Sequence, residues 1–220
     1  MIWPTLRLSL LVVSIATILI SVVGTALGFL LAKRKFRGKD LLDAILTLPM
    51  VLPPTVTGYY LILLLGRRGL LGKPLYDLTG WTVAFTWIAA VIASTVISLP
   101  LMIKSARAAI ESVDEEYEIA SRIMGKSEIE TFFRITLPLA GRGILAGIVL
   151  SFARAFGEFG ATLMLAGNIP GRTQTMPLAI YEAVVSGEDE RAKWLALILT
   201  GISITVVYLT NRLSRPKKGR

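Results

Sequence analysis

The sequence contains neither cysteine nor histidine in its 220 residues. Their absence excludes disulfide bonds, thiolate metal sites and acid–base catalysis by imidazole. No Ser/His/Asp set can form, and no paired carboxylates lie at membrane depth, so nothing in the sequence supports hydrolysis. We therefore predict no catalytic residue and no metal site, and a membrane-embedded enzyme is disfavoured.

Charged residues are also scarce, making up 18% of the sequence, whereas 54% is hydrophobic. Ordinary soluble domains average about 45–50% apolar residues. Several apolar runs approach or exceed the ~20 residues that a membrane helix needs, and the first is too long for a signal peptide. We predict an all-α polytopic membrane protein with one transmembrane domain over residues 1–220. Its five spans are expected at about residues 5–32, 41–65, 81–103, 138–165 and 194–213.

The net charge of +9 comes from lysines and arginines at the ends of the apolar runs, a pattern that does not indicate nucleic-acid binding. Five cations lie between Lys33 and Lys39. Five more form the tail: Arg212, Arg215, Lys217, Lys218 and Arg220. Because positive residues concentrate in cytoplasmic loops, we predict a plasma or inner membrane protein. Its N-terminus is expected outside and its C-terminus in the cytoplasm.

Three smaller signals set expectations for packing. Gly24 and Gly28 lie four residues apart in the first span, a spacing that allows close helix contact. Pro100 is expected to interrupt the third span near its inner end. Residues 176–186 are amphipathic but too short to span, and we expect a half-helix near the outer surface.

Two spans contain residues that are unusual in lipid. Pro49, Pro53 and Pro54 break the second span, either as a static kink or as a bend that lines a pore. Arg154 and Glu158 lie inside the fourth span, four residues apart. Charges at this depth face the bundle interior or a water path. The two residues form either a neutralising structural pair or a charged element at a translocation gate.

A polar segment over residues 111–137 separates the third and fourth spans. Asp114 and Glu115 lie at the start of a short helix, where negative charge is favourable, and Gly125 is placed to end it. Ser127 and Glu130 have the spacing of a capping box for a second helix. Gly125-Lys126-Ser127 lacks the upstream glycine of a phosphate-binding loop, so nucleotide binding by this chain is rejected.

The periodicity of this segment predicts which faces are used. One face of the first helix is expected to contain Tyr117, Ala120, Ser121 and Met124. Apolar residues of the second are expected to pack against the membrane base: Phe132, Phe133 and Ile135. Two short helices at a bend on the cytoplasmic surface suit docking into a groove of a soluble partner.

The same segment resembles the EAA loop of ABC importer permeases. Glu118 and Ala120 are followed by Gly125, seven positions after the glutamate, and then by Pro138. Ile119 stands where the family has its middle alanine. Three further stretches, residues 48–72, 151–162 and 167–181, resemble the molybdate-type permeases of the molybdate/tungstate/sulfate group.

The resemblance implies a type I ABC importer permease fold and a non-catalytic subunit that forms the translocation path by alternating access. It also implies a homodimer, two cytoplasmic ABC ATPases that bind ATP-Mg, and an extracytoplasmic oxyanion-binding protein. Glu118, Ala120, Gly125 and Pro138 would couple to the ATPase. Molybdate or tungstate is the expected substrate, with a sulfate or thiosulfate permease as the alternative. A stand-alone channel or secondary transporter would suit the charges in the fourth span but leaves the polar segment unexplained.

Overall fold

A computed structural model describes residues 2–214, with side chains described as far as Tyr208. Every regular element in this part of the chain is helical. The helices are α1 (Ile2–Lys33), α2 (Lys39–Val51), α3 (Pro54–Leu65), α4 (Gly72–Thr79), α5 (Trp87–Glu111), α6 (Glu115–Ile123), α7 (Glu128–Thr131), α8 (Leu137–Phe156), α9 (Gly160–Ala166), α10 (Met176–Val185) and α11 (Asp189–Ser214). A π-helical turn, Phe132–Thr136, joins α7 to α8.

Four helices are long and apolar enough to cross a membrane: α1, α5, the continuous helix Glu128–Phe156, and α11. The predicted all-α polytopic class is confirmed. The predicted basic residues Arg215, Lys217, Lys218 and Arg220 lie outside the described residues, and only the backbone of Arg212 is described.

The third span differs from its prediction at both ends. It begins at Trp87 instead of residue 81, because Thr86 caps it: the Thr86 hydroxyl accepts the Ala89 N–H at 3.2 Å. It runs through Pro100 to Glu111, so the expected interruption at Pro100 is wrong. In a packed membrane helix, neighbouring helices can satisfy the backbone carbonyl that a proline leaves without its donor.

The second span is not one kinked helix but two helices, α2 and α3, that differ in direction by 116°. Leu52 and Pro53 are both extended, with ψ of 147° and 136°. Each precedes a proline, and this position disfavours helical ψ. Pro54 then begins α3, where a missing N–H would have no helical partner. The Pro-Pro pair therefore ends one helix and starts the next.

The fourth span is also divided. The helix of α8 ends at Phe156, and α9 begins at Gly160 after a three-residue break. The predicted single span over 138–165 is therefore a long helix followed by a short one. The break places Glu158 outside regular helix, which determines what its carboxylate can bind.

Close helix contacts hold α5 at the centre of the bundle. A Cβ atom on Gly24 would lie 2.5 Å from Met102 Cγ, and one on Gly28 would lie 3.0 Å from the Arg107 backbone nitrogen. The predicted close packing through Gly24 and Gly28 is thus confirmed. On another side of α5, Gly147 packs against Ser105 in the same way. Small residues allow the backbones to approach where lipid supplies no hydrophobic driving force.

Polar contacts tie the two ends of the bundle. Asp43 of α2 bridges Lys104 at 2.7 Å and Arg107 at 3.1 Å, next to the end of α1. At the opposite end, the Met176 N–H at the start of α10 donates to the Ser9 hydroxyl at 2.7 Å. Residues 176–185 do form the short helix that the sequence predicts.

Candidate coupling and translocation sites

The first candidate site is the segment between α5 and α8, here called the coupling loop (residues 112–136). Its first helix, α6, begins at Asp114, whose side chain accepts the Glu116 N–H at 3.0 Å. It ends at Gly125, with φ of 79°. The Gly125 N–H donates to the Arg122 carbonyl and the Lys126 N–H to the Ser121 carbonyl. These two bonds form a Schellman cap, so the predicted ends of this helix are confirmed.

A capping box starts the second helix of the coupling loop. The Glu130 N–H donates to Ser127 Oγ, and the Ser127 N–H donates to the Glu130 carboxylate, each at 3.2 Å. The predicted box is therefore confirmed. A buried hydroxyl contact of 2.9 Å between Ser121 and Thr131 then holds α6 against α7. The corner between the two helices is thereby fixed on both sides.

Glu118 anchors this corner to the membrane helices. Its carboxylate lies 3.0 Å from Lys33 Nζ at the end of α1 and accepts the Thr136 hydroxyl at 2.7 Å. The glutamate is only 7% exposed. Nearby, the rings of Phe29 and Phe132 pack with their centroids 4.5 Å apart. The side chain of Glu118 therefore points towards the protein interior, away from the exposed surface of the coupling loop.

The other predicted coupling residues lie on the surface. Ala120, Gly125 and Pro138 are exposed, and a Cβ on Gly125 would meet nothing within 4 Å. An exposed apolar stripe lies beside Ala120 and Gly125. It consists of Tyr117, Ile119, Ala120, Ile123 and Met124, on α6 and its C-terminal end. Ile123 is 81% exposed and Met124 72%. Such a patch marks a surface that binds another molecule.

Two face predictions within the coupling loop are wrong. Ser121 is buried against Thr131 and does not share the exposed face. Phe133 is 61% exposed and does not pack on the membrane base as Phe132 does. For Ser121 the contact that orients the side chain comes from Thr131, a residue outside its own helix. Helical periodicity alone could not supply that contact.

The second candidate site is a cavity of about 180 Å³ at the turn between α2 and α3. Its walls are Pro49, Met50, Leu52 and Pro54 from the turn, Ile97 and Leu101 from α5, and Arg154 from α8. The structure thus brings together Arg154 and two of the three predicted prolines. Pro53 lies in the turn but is not among the residues of the wall.

Arg154 and Glu158 form the ion pair that their spacing allows, with Nη1 and Oε2 2.7 Å apart. The side chain of Arg154 is 38% exposed, whereas that of Glu158 is only 1% exposed. The second carboxylate oxygen of Glu158 accepts the Ala161 N–H at 2.8 Å. Glu158 therefore satisfies a backbone donor in the first turn of α9 as well as the guanidinium. This capping role was not predicted, because the break between α8 and α9 was not predicted either.

Lys33 and Thr136 are functional candidates that sequence reasoning missed. Lys33 was interpreted only as part of a topology signal, and Thr136 only as part of a motif. They lie 85 and 18 residues from Glu118 in the sequence. No spacing rule connects residues so far apart, and only the fold brings them together.

Comparisons with known proteins give the family. The family model described as "Binding-protein-dependent transport system inner membrane component" matches residues 24–217. The molybdenum transport system permease protein ModB of Escherichia coli strain K12 is 44% identical over 222 residues, covering 99% of this chain and 97% of that protein. The sulfate transport system permease protein CysW of Synechococcus elongatus is 36% identical, covering 93% of this chain and 71% of that protein.

A solved structure gives the same fold. The inward-facing MetNI methionine ABC transporter contains a chain that matches with a TM-score of 0.70 at 16% identity, covering 97% of this chain and 93% of that one. The predicted type I ABC importer permease fold is thereby confirmed. With its four long apolar helices, the protein is a multi-pass membrane protein. It belongs to the family of binding-protein-dependent transport system inner membrane components.

Proposed function

We propose that this protein is the membrane-spanning permease of an ATP-driven importer for a tetrahedral oxyanion, most consistent with molybdate or tungstate. The observation that carries the proposal is the coupling loop. It presents an exposed apolar stripe on a helix whose opposite face is fixed to α1 and to the start of α8. A loop that only connected two spans would need neither the exposed apolar stripe nor the contacts that fix the opposite face.

The stripe is the surface that enters a cleft of a cytoplasmic ATPase. Ile123 and Met124 supply the apolar contact, and Ala120 and Gly125 allow close approach. Glu118 acts as a positioning residue, because its carboxylate is occupied by Lys33 and Thr136. Movement of the ATPase is then transmitted through Glu118 to α1 and α8. A ligand shifts a conformational equilibrium only through such contacts that differ between states.

ATP is bound and hydrolysed by the partner ATPase subunits. The sequence lacks a phosphate-binding loop motif, and ATP-Mg is held by the two ATPase subunits. The permease contributes the path and the alternating access. Its N-terminus and the α10 end face the outside, where an oxyanion-binding protein delivers the substrate, and the coupling loop faces the cytoplasm.

A second copy of this chain completes the path. The α2–α3 pair leaves large apolar side chains uncovered, among them Val51 at 77% exposure and Tyr60 at 55%. These residues surround the turn beside the Arg154 cavity. A homodimer that joins these faces would enclose the cavity between two permeases.

The identity of the oxyanion is proposed from the relatives. The molybdenum relative is more similar than the sulfate relative and matches over more of its own length. A sulfate or thiosulfate permease is therefore the second candidate. A stand-alone channel or secondary transporter is less well supported, because it gives the coupling loop no partner.

Gly125→Asp tests the docking assignment. An aspartate at φ of 79° keeps a backbone that this residue type can adopt, but it places a charge in the open space beside the stripe. We expect the variant to reach the membrane in normal amounts, to lose co-purification with the ATPase and to lose uptake. Gly187→Asp is the matched control, since Gly187 also has a positive φ and open space around it but lies at the opposite end. Normal ATPase binding and uptake by the Gly125 variant would refute the assignment.

A further inference from the structure

We propose that Arg154 is the residue that contacts the oxyanion in mid-membrane, and that Glu158 weakens this contact so that the anion is released. The inference rests on the proposed function and adds to it the ligand-binding group within the permease. Three observations carry it: the isolation of Arg154 among apolar spans, the orientation of its ion pair, and the position of the cavity.

Arg154 is isolated from other charges along the path. The part of α5 between Trp87 and Ile103, the whole of α3, and α8 from Gly143 to Ala153 contain no charged residue. Among the residues that form the cavity wall in the described chain, Arg154 alone is charged. Moving an ion from water into such surroundings is strongly unfavourable unless an opposite charge meets it. Within one copy of the chain, a dianion at this level therefore has one available cationic partner, Arg154.

Within the ion pair, the guanidinium of Arg154 can bind a further anion, whereas the carboxylate of Glu158 has no free oxygen. The carboxylate of Glu158 is buried, and each of its oxygens already has a partner: Oε2 accepts from Arg154 and Oε1 accepts from the Ala161 N–H. The guanidinium has five N–H donors, and Nη1 alone has a partner among the described residues. With 38% of its side chain exposed beside the cavity, Arg154 can offer the remaining donors to a second anion. The planar fork of arginine matches a tetrahedral oxyanion through two parallel hydrogen bonds.

Glu158 limits the strength of this contact. A bare guanidinium in an apolar cavity would hold a dianion tightly, and transport requires binding that is weak enough for release. The adjacent carboxylate reduces the attraction and also fixes the orientation of the arginine. Loss of Arg154 and loss of Glu158 therefore have opposite effects on oxyanion binding. A purely structural ion pair would give the same effect for both.

The chain offers a direct probe, because it has no cysteine of its own. Met50 lies on the cavity wall and is 60% exposed, so Met50→Cys places a single thiol beside Arg154. Ile45→Cys is the control, on the same helix at 58% exposure but outside the wall. The rate of thiol modification is measured on the assembled transporter complex, with and without tungstate. We expect tungstate to slow modification at residue 50 at least threefold and to leave residue 45 unchanged.

Substitutions at the ion pair then decide the assignment. In the Met50→Cys background, Arg154→Gln should abolish protection by tungstate, whereas Glu158→Gln should shift half-protection to at least threefold lower tungstate. Arg142→Gln is the matched control, an exposed arginine on α8 about 18 Å from Arg154 along the helix, and should change nothing. Protection that survives Arg154→Gln, or that both substitutions weaken alike, would overturn the proposal.

Uptake separates this inference from the proposed function. In reconstituted vesicles with the ATPase and the binding protein, the wild type should accumulate molybdate, and Arg154→Gln should lower the rate at least tenfold. The double variant Arg154→Gln/Glu158→Gln restores a neutral, hydrogen-bonded pair and should stay defective. Recovery of uptake in the double variant would show a structural pair and overturn the inference alone. Absence of uptake by the wild type would refute the proposed function and this inference with it.

Discussion

Replacing Glu118 by alanine should release the coupling loop from α1 and α8. The substitution removes the carboxylate that pairs with Lys33 and accepts the Thr136 hydroxyl. The Thr136 side chain is buried, at 1% exposure, so its hydroxyl would be left without an acceptor. Lys33 is less affected, because 23% of its side chain remains exposed to solvent.

The magnitude follows from the two contacts. A hydrogen bond to a charged group contributes about 1.5–3 kcal/mol. A partly buried ion pair lies between the ~0–1 kcal/mol of an exposed pair and the ~3–5 kcal/mol cost of breaking a buried one. The combined loss is about 3 kcal/mol, or roughly 100-fold in the equilibrium between the docked and undocked coupling loop. Glu118→Gln keeps an acceptor for Thr136 and should lose only about 1–2 kcal/mol.

Hydrogen exchange measures this equilibrium directly, because amides of a locally opening segment exchange at a rate set by the opening free energy. In the purified permease, amides of α6 should exchange roughly 100-fold faster in Glu118→Ala and about tenfold faster in Glu118→Gln. Glu116→Gln is the control, an exposed glutamate on the same helix, and should leave exchange unchanged. If α6 exchanged in Glu118→Ala as it does in the wild type, the positioning role would be refuted.

Two further predictions concern packing at each end of α1. Gly28→Ala should destabilise the bundle by about 1–3 kcal/mol, because the added Cβ would lie 3.0 Å from the α5 backbone. The melting temperature in detergent measures this loss. Gly141→Ala is the control and should not lower the melting temperature, because a Cβ on Gly141 would meet nothing within 4 Å. Ser9→Ala should cost about 1–3 kcal/mol, because it strands a buried backbone N–H at the start of α10, whereas Ser21→Ala removes only a bond within α1. Equal melting temperatures for the two members of either pair would contradict the corresponding contact.

Features that the sequence predicted well depend on residues close together in the chain. The cap at Gly125 and the capping box at Ser127 each involve partners within five residues, and both formed as predicted. Asp114 also lies at the start of its helix, as expected. The pairing of Arg154 with Glu158 is local in the same sense. Such contacts follow from helix geometry, which is the same in every fold.

What the sequence could not predict depends on the fold. The prolines indicated a break in the second span, but the 116° change of direction depends on how α3 packs against α9. At this contact a Cβ on Gly58 would lie 2.8 Å from Ala161 Cα. Likewise, the burial of Glu118 requires α1 to end beside the coupling loop. No pattern within the loop itself carries that information.

Uptake into reconstituted vesicles tests the central claim most directly. The permease is combined with its ATPase and its binding protein, and labelled molybdate uptake is measured in competition with tungstate and sulfate. The account predicts accumulation that requires ATP and the ATPase subunit, and that tungstate suppresses more strongly than sulfate. Accumulation that persists without ATP or the ATPase would contradict it.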